Sequence, residues 1–196
     1  CFPISSYSKS KPFKLIYVSD LEAYKHHWHV VSAVYLVREQ TGWPLELNLV
    51  GRPRHKPSSL LLKKAIKKYD PFSSWIKLFE NTEYEDLHSL YCDIDLGIFA
   101  STCENFPNII LEYMGLSLPF ISSNREPMPS ITENLTYYFN PEDPEDISKN
   151  IIKIIKDEEF REFLSMKLSK LVKKYSWEEC SRKTFSFLSK IYERNH

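Results

Sequence analysis

Short apolar segments alternate with amphipathic segments along roughly the first 140 residues of the chain. The apolar segments are rich in β-branched and aromatic residues, as buried strands are; they are residues 13–19, 45–51, 75–79, 95–101, 118–123 and 137–139. Residues 28–40 and 58–69 carry apolar side chains at helical spacing. This alternation predicts an α/β fold in which helices cover both faces of a mostly parallel sheet of about six strands.

The pattern changes near residue 143, where helical segments follow one another. Asp143 and Pro144 are typical of a helix start, and Ser176 with Glu179 forms a capping box before a last helix. That helix has one apolar stripe, formed by Trp177, Cys180, Phe185, Leu188 and Tyr192. We therefore predict one Rossmann-like three-layer domain over residues 1–196, with a leader or interdomain segment at 1–12 and a helical tail at 144–196.

Composition narrows the class of protein. The chain is 42% hydrophobic, and its 26 Lys and Arg residues balance 26 Asp and Glu residues. This balance argues against a general electrostatic footprint for nucleic acid or a membrane surface, although local patches stay open. No apolar run approaches the ~18 residues of a membrane span. Because the chain begins with Cys1 and has no signal-peptide pattern, we expect it to be part of a longer cytoplasmic protein.

Glycine and cysteine usage excludes two kinds of site. The four glycines, at positions 42, 51, 97 and 115, cannot form a Walker loop or a GxGxxG turn. The four cysteines, at positions 1, 92, 103 and 180, have no metal-binding spacing, and we interpret them as reduced thiols.

The segment STCENFPNIILEYMG, residues 101–115, carries the candidate chemistry. Glu104 follows a predicted inner strand, at the sheet edge where open α/β folds bind ligands. Pro107 favours a helix start, which leaves the N–H groups of Asn108 and Ile109 free for an anion such as phosphate.

Glu112 lies eight positions after Glu104, inside an otherwise apolar run. A partly buried carboxylate costs several kcal/mol unless it accepts hydrogen bonds. Its partners are either groups of the protein, namely N–H groups or a lysine, or a pair of ligand hydroxyls, such as a ribose diol. Spacing alone leaves both alternatives open.

The same segment resembles the E-x7-E signature of retaining glycosyltransferases of family 4, which have the GT-B fold. The similarity extends over residues 13–194, including the upstream segments IYVSDLEAYKHHWHVVSAVYLV and LELNLVG and the downstream YSW. Members that build bacterial surface polysaccharides are similar in the ENxPN and SNxxPMP elements. The resemblance implies a C-terminal, donor-binding half, with the N-terminal acceptor domain absent from this chain.

Roles follow from this resemblance residue by residue. It implies that Glu112 binds the ribose, that Glu104 contacts hydroxyls of the donor sugar and that Lys25 neutralises the leaving phosphate. The loop between the two acids would offer backbone N–H groups to the sugar and the diphosphate. The donor-binding residues of this loop are Asn105, Phe106, Pro107, Asn108 and Ile109.

Other donor-site positions depart from the family or are placed by topology. Ser19 stands where many members carry an arginine, and Arg52 is the nearest cation to replace it electrostatically. Ser117 replaces a glycine of the family pattern, which would relax a tight turn. The nucleotide base is expected near Phe79, Glu80 and Asn81, after the third strand.

The resemblance therefore implies retaining transfer of a hexose from a nucleoside-diphosphate sugar to a glycan or lipid-linked acceptor. No cofactor and no metal are expected, and the isolated half is not expected to transfer sugar by itself. The alternative is a non-catalytic nucleotide-sugar-binding module or a degenerate partner subunit. We predict a cytoplasmic protein without nucleic-acid partners.

Three further patterns of charged or metal-ligating residues are weaker indicators of a functional site. His26, His27 and His29 lack zinc-binding spacing and are interpreted as polar residues at a helix start. Asp93 and Asp95 form a D-x-D string, which we interpret as part of a turn rather than a metal site. Four lysines on one predicted helix are either a solvated face or a peripheral contact with the inner face of a membrane; they are Lys63, Lys64, Lys67 and Lys68.

Overall fold

A computed structural model describes residues 2–195 of the chain. Six strands form one sheet: β1 (Phe13–Val18), β2 (Leu45–Val50), β3 (Ile76–Phe79), β4 (Leu96–Phe99), β5 (Phe120–Ser123) and β6 (Tyr138–Phe139). Eight α-helices accompany the sheet in this part of the chain: α1 (His27–Thr41), α2 (Lys56–Tyr69), α3 (Tyr84–Tyr91), α4 (Asn108–Gly115), α5 (Met128–Ile131), α6 (Pro144–Lys156), α7 (Glu158–Leu171) and α8 (Trp177–Asn195).

The strand order is β3-β2-β1-β4-β5-β6, and every neighbouring pair is parallel. The predicted Rossmann-like fold with six parallel strands is therefore confirmed. The chain winds outward from β1 in one direction and from β4 in the other, so the strand order reverses between them. In open α/β sheets, the crevice beyond the carboxyl ends of strands at such a point binds ligands.

The sheet is buried on both sides by helices. Leu15, Tyr17, Leu47 and Ile98 have no exposed surface, and burial on both faces explains why the strands are mostly apolar rather than alternating apolar and polar. Helix α1 packs against α2 and α6, and α4 packs against α7. Gly97 lets α4 approach β4, because a Cβ there would lie 2.8 Å from the Tyr113 ring.

Helix starts follow the predicted caps. Asp143 accepts a hydrogen bond from the backbone N–H of Glu145 at 2.9 Å, and Pro144 opens α6. The Ser176 hydroxyl accepts from the N–H of Glu179 at 3.1 Å before α8. Helices α3 and α5 were not predicted. Ser117 has a φ of 56°, so the turn after α4 keeps a left-handed residue although glycine is replaced.

The apolar stripe of α8 lies on the surface. Trp177, Phe185, Leu188 and Tyr192 are each more than half exposed. In the described part of the chain, no helix has the combination of length and apolar composition that crossing a bilayer would need.

Candidate donor-binding site

A cleft of about 350 Å³ lies beyond the carboxyl ends of β1, β2 and β3. Residues that follow these three strands form most of its wall, and α4 adds one side chain from its first turn. The lining residues used below are Ser19, Lys25, Gly51, Arg52, Thr82 and Ile109. Its place beside the reversal of strand order is where a Rossmann-like sheet binds a ligand.

Lys25 and Glu104 form an ion pair beside this cleft. The lysine ends a 3-10 turn after β1, and the glutamate lies in the loop after β4. Both side chains are mostly buried, with 12% and 14% of their surfaces exposed. The ammonium also lies 5.0 Å from the centre of the Phe99 ring, which favours a cation.

Two hydrogen bonds to backbone carbonyls hold the turn that carries the lysine in place. The Tyr17 hydroxyl donates to the Lys25 carbonyl at 2.7 Å, and the Thr102 N–H donates to the Tyr24 carbonyl at 2.9 Å. The turn after β1 is thereby tied to the loop after β4. A fixed ammonium at this position can stabilise negative charge that develops on a ligand.

The N-terminus of α4 faces the same region. Pro107 precedes the helix, no side chain caps it and its first turn contains no acid. The first helical N–H groups, on Asn108 and Ile109, are thus left for a ligand or water. Ile109 lines the cleft, so the positive end of the helix is adjacent to it.

Glu112 is partly buried one turn further along α4. Its Oε2 accepts a hydrogen bond from the Tyr91 hydroxyl at 3.0 Å. Burial raises the pKa of Glu112, and the hydrogen bond from Tyr91 offsets only part of that rise. The carboxylate therefore has one protein partner among the described residues and no lysine, which leaves room for further hydrogen-bond donors.

Tyr91 is the residue that sequence analysis missed. Its ring is buried and lies edge-on to Tyr113, with 5.9 Å between the ring centres. Since Tyr91 ends α3, a helix that was not predicted, no sequence signal connected it with Glu112 across 21 positions.

Ser19 and Arg52 lie at neighbouring strand ends. The backbone of Gly51 passes so close to Ser19 that a Cβ would lie 1.9 Å from the Ser19 carbonyl oxygen. The Arg52 side chain lies 3.8 Å from the Glu83 carboxylate and is 46% exposed. A guanidinium this exposed is free to turn toward an anion in the cleft.

The remaining predicted site residues are spread around the cleft. Asn105 and Phe106 are exposed in the loop before α4, and the Phe106 ring contacts Tyr175. Glu80 and Thr82 line the cleft after β3. Phe79 instead lines a second cleft, between α2 and β3, and Asn81 is exposed.

The histidines after Lys25 are more buried than expected for polar residues at a helix start. The imidazole of His27 donates from Nε2 to the Ser19 carbonyl at 3.2 Å, and burial lowers its pKa to about 3. His26 lies at 3.1 Å from the Thr102 hydroxyl. Both rings pack around the turn that carries Lys25, which gives them a structural role.

The D-x-D string lies at the opposite edge of the sheet. Asp93 pairs with Lys14 at 2.7 Å, and Asp95 accepts from the Lys14 N–H and the Tyr7 hydroxyl. Within residues 2–195, no group of three or more His, Cys, Asp or Glu side chains is arranged to hold a metal ion.

Comparison with known proteins agrees with this fold. The model of the family described as Glycosyl transferases group 1 matches residues 4–169. The chain is 24% identical to the O-antigen chain mannosyltransferase B of Escherichia coli over 189 residues, which are 95% of this chain and 48% of that protein. It therefore spans about half the length of this curated relative.

Two solved structures share the fold. The Anabaena protein HepE in complex with UDP-glucose superposes with a TM-score of 0.80 at 17% identity, over 96% of this chain and 56% of HepE. The C-terminal domain of a group 1 glycosyl transferase (LpcC) of Francisella tularensis superposes with a TM-score of 0.68 at 20% identity, over 84% of this chain and 85% of that domain.

Proposed function

The chain belongs to the glycosyl transferases group 1 family, and we propose that it is the donor-binding half of a retaining enzyme of family 4. In this proposal, it binds a nucleoside-diphosphate sugar for transfer of a hexose to a glycan or lipid-linked acceptor. The observation that carries the proposal is the Lys25–Glu104 pair beside an open cleft at the carboxyl edge of the sheet. A second domain, outside this chain, would hold the acceptor.

Each charged group has a task in such a reaction. Departure of the leaving group places negative charge on the diphosphate, and Lys25 together with the N-terminus of α4 would stabilise it. When the Lys25 ammonium binds the phosphate instead of Glu104, the Glu104 carboxylate becomes available to accept hydrogen bonds from sugar hydroxyls. We assign Glu104 to orienting the sugar rather than to nucleophilic attack.

Glu112 is assigned to the ribose. An ionised carboxylate can accept from two hydroxyls, and the position of Glu112 on α4, one turn after Ile109, is within reach of a ligand seated at the helix N-terminus. Arg52 is assigned to the diphosphate, in place of the arginine that Ser19 replaces. The base is assigned to the segment that follows β3, where Glu80 and Thr82 line the cleft and Asn81 is exposed between them.

Two findings on similar proteins support the donor class. The Escherichia coli relative is a mannosyltransferase, and HepE has been crystallised with UDP-glucose. We propose a hexose donor on this basis. We also propose that transfer needs no metal, so that added EDTA should leave the rate of the complete enzyme unchanged.

A non-catalytic nucleotide-sugar-binding module is the second candidate. The observation that favours it is Ser19, which stands where many family members carry an arginine, because loss of that cation removes stabilisation of the leaving group. Donor binding without turnover in the presence of the acceptor domain would support this alternative.

Ligand-detected NMR on this chain tests the proposal. UDP-, GDP- and ADP-sugars would be compared for the wild type, Glu112→Gln and the control Glu162→Gln, which alters an exposed acid on α7. We expect saturation transfer to ribose and sugar protons of one nucleotide, weakened only by Glu112→Gln. Absence of contact with every nucleotide at millimolar concentration would contradict donor binding by this chain.

A further inference from the structure

The outward side of α2 is strongly basic. The helix contains five lysines and no acid, although positive and negative charges balance over the whole chain. Ser58, Leu62 and Ala65 form its buried side. We use the term basic face for the exposed side chains of α2, the following loop and the edge strand β3: Lys56, Leu60, Leu61, Lys63, Lys64, Lys67, Phe72 and Lys77.

The lysines of the basic face have no carboxylate partner among the described residues. Ion pairs form elsewhere in the molecule, at Lys14, Lys25, Lys174 and Lys183. Asp70, which lines the cleft beside the face, is buried, and both of its oxygens are occupied by the N–H groups of Ser74, Trp75 and Ile76 and the Ser74 hydroxyl. Hence the positive charge is not neutralised within the described protein.

Apolar side chains stand among these lysines. Leu60 is 52% exposed and Leu61 44% exposed, and Phe72 at the tip of the next loop is 90% exposed. Leu60 lies on the same side of α2 as Lys64 and Lys67, four and seven positions later. An exposed phenylalanine and two exposed leucines do not contribute to solubility, and apolar side chains grouped on a surface indicate an interaction site.

A cleft of about 540 Å³ runs between α2 and the edge strand β3. Lys63, Lys67 and Lys77 surround it, and Ile66, Ile76 and Leu78 contribute apolar walls. Ammonium groups around a partly apolar depression suit an anionic headgroup whose acyl chains continue past an apolar surface.

We propose that the basic face binds the surface of a membrane that contains anionic phospholipid. Lysines beside exposed Leu and Phe are the combination that holds a helix at the headgroup layer. A nucleic-acid duplex would use the lysines but not Phe72 and Leu60, and the face as defined contains no arginine. The inference goes beyond donor binding, because the basic face shares no residue with the cleft that contains Lys25.

Vesicle sedimentation with the whole chain tests this inference. The vesicles contain phosphatidylcholine with or without phosphatidylglycerol. The variant replaces Lys63, Lys64, Lys67 and Lys77 by Gln, and a control replaces four exposed lysines of other helices and turns by Gln: Lys149, Lys156, Lys170 and Lys173. Circular dichroism establishes that each variant is folded.

We expect the wild type and the control to bind phosphatidylglycerol vesicles, and the first variant to lose at least about tenfold in affinity. Phe72→Ser with Leu60→Ser should also weaken binding while leaving the charge unchanged. The proposal would be overturned if both lysine variants lost the same affinity or if the wild type did not bind the vesicles. It would also be overturned if the serine substitutions at Phe72 and Leu60 left vesicle binding unchanged and the protein bound a DNA duplex with equal affinity.

Discussion

Charged side chains occur at both edges of the sheet, but their hydrogen bonds are completed in different ways. At the amino edge, Asp70 accepts four hydrogen bonds from the loop before β3. Arg161, which has 1% of its surface exposed, donates to the carbonyls of Ile154, Ile155 and Phe2. These charges are satisfied by the protein itself.

At the carboxyl edge, the corresponding groups are left partly unsatisfied. Glu104 accepts only from Lys25 among the described residues, Glu112 accepts only from Tyr91, and α4 has no side-chain cap. The pKa shifts follow the same division. Burial alone would raise the pKa of Asp70, but the backbone hydrogen bonds lower it below its ordinary value, whereas the pKa of Glu112 stays raised.

This difference separates charges that stabilise the fold from charges available to a ligand. A buried carboxylate with four donors contributes to folding, because removing it leaves those donors without partners. A carboxylate with one donor contributes little or destabilises, and it keeps the capacity to accept from a substrate. Substitutions at the amino edge should therefore change stability, and those at the carboxyl edge should change binding.

The largest expected effect is at Asp70. Asp70→Ala should lower the free energy of unfolding by about 3 kcal/mol, because three buried N–H groups and a hydroxyl lose their acceptor. Urea denaturation measures this loss. Asp93→Ala, which alters an exposed acid at the same edge, is the control and should change stability little. Equal effects of the two variants would contradict the structural role given to Asp70.

Donor affinity of the Asp70→Ala variant tests whether the two edges of the sheet act independently. At urea concentrations below its unfolding midpoint, the Asp70→Ala variant should retain the wild-type affinity for the nucleotide sugar, since Asp70 lies at the edge of the sheet opposite the cleft. A parallel loss of affinity would mean that the two edges are coupled.

The next effect is at the Lys25–Glu104 pair. Lys25→Met should weaken donor binding roughly thirtyfold, because a charge-assisted contact to phosphate contributes about 2 kcal/mol. It should also lower stability by leaving Glu104 mostly buried without a partner. Calorimetric titration and urea denaturation measure the two losses.

The double variant Lys25→Met with Glu104→Gln separates the two contributions. Removing both charges should restore stability, because no unpaired carboxylate is left, yet affinity for the donor should stay low. If affinity recovered with stability, Lys25 would serve the fold and not the ligand.

The sequence predicted the sheet better than it predicted the site. The strands are mostly apolar because both faces of the sheet are covered, and such segments stand out in a sequence. Helix α3 was missed because YEDLHSLY is short and half polar, and its N-terminus has no side-chain cap. Local signals of helix formation were therefore weak there.

The contacts of the site depend on the fold rather than on spacing. Lys25 and Glu104 are 79 positions apart, and only the adjacency of β1 and β4 brings their loops together. The protein partner of Glu112 lies on the unpredicted α3, and among the described residues it is a tyrosine rather than the lysine considered at first. The ribose diol stays a prediction. Residue type predicted the acids; tertiary structure supplied their neighbours.

A smaller effect is the pH dependence of donor affinity. Burial favours the protonated form of Glu112 in the folded protein, so its carboxylate becomes neutral at a pH above the ordinary range of a glutamate. Affinity should fall about tenfold as pH decreases through this raised pKa, because a protonated carboxyl accepts fewer hydroxyl groups. Stability changes in the opposite direction, since the folded state binds the proton more tightly than the unfolded state.

Titration of the donor at a series of pH values measures this profile. Glu112→Gln is the control. It should bind the donor weakly at every pH, and its affinity should show no transition in the pH range where the wild-type affinity changes. A wild-type midpoint at or below that of an ordinary glutamate would contradict the burial of the ionised group.

The smallest expected effect on donor affinity is that of Tyr91→Phe, which tests directly whether the hydrogen bond from Tyr91 controls the charge of Glu112. The variant removes the one hydroxyl that lowers the pKa of Glu112, so the midpoint of the affinity profile should move to higher pH. Near neutral pH, affinity should change by no more than about threefold, because the net contribution of a single hydrogen bond is near 1 kcal/mol. Tyr91→Phe combined with Glu112→Gln should show no further change. A shift to lower pH, or equal effects in the two backgrounds, would show that Tyr91 acts on packing and not through the carboxylate.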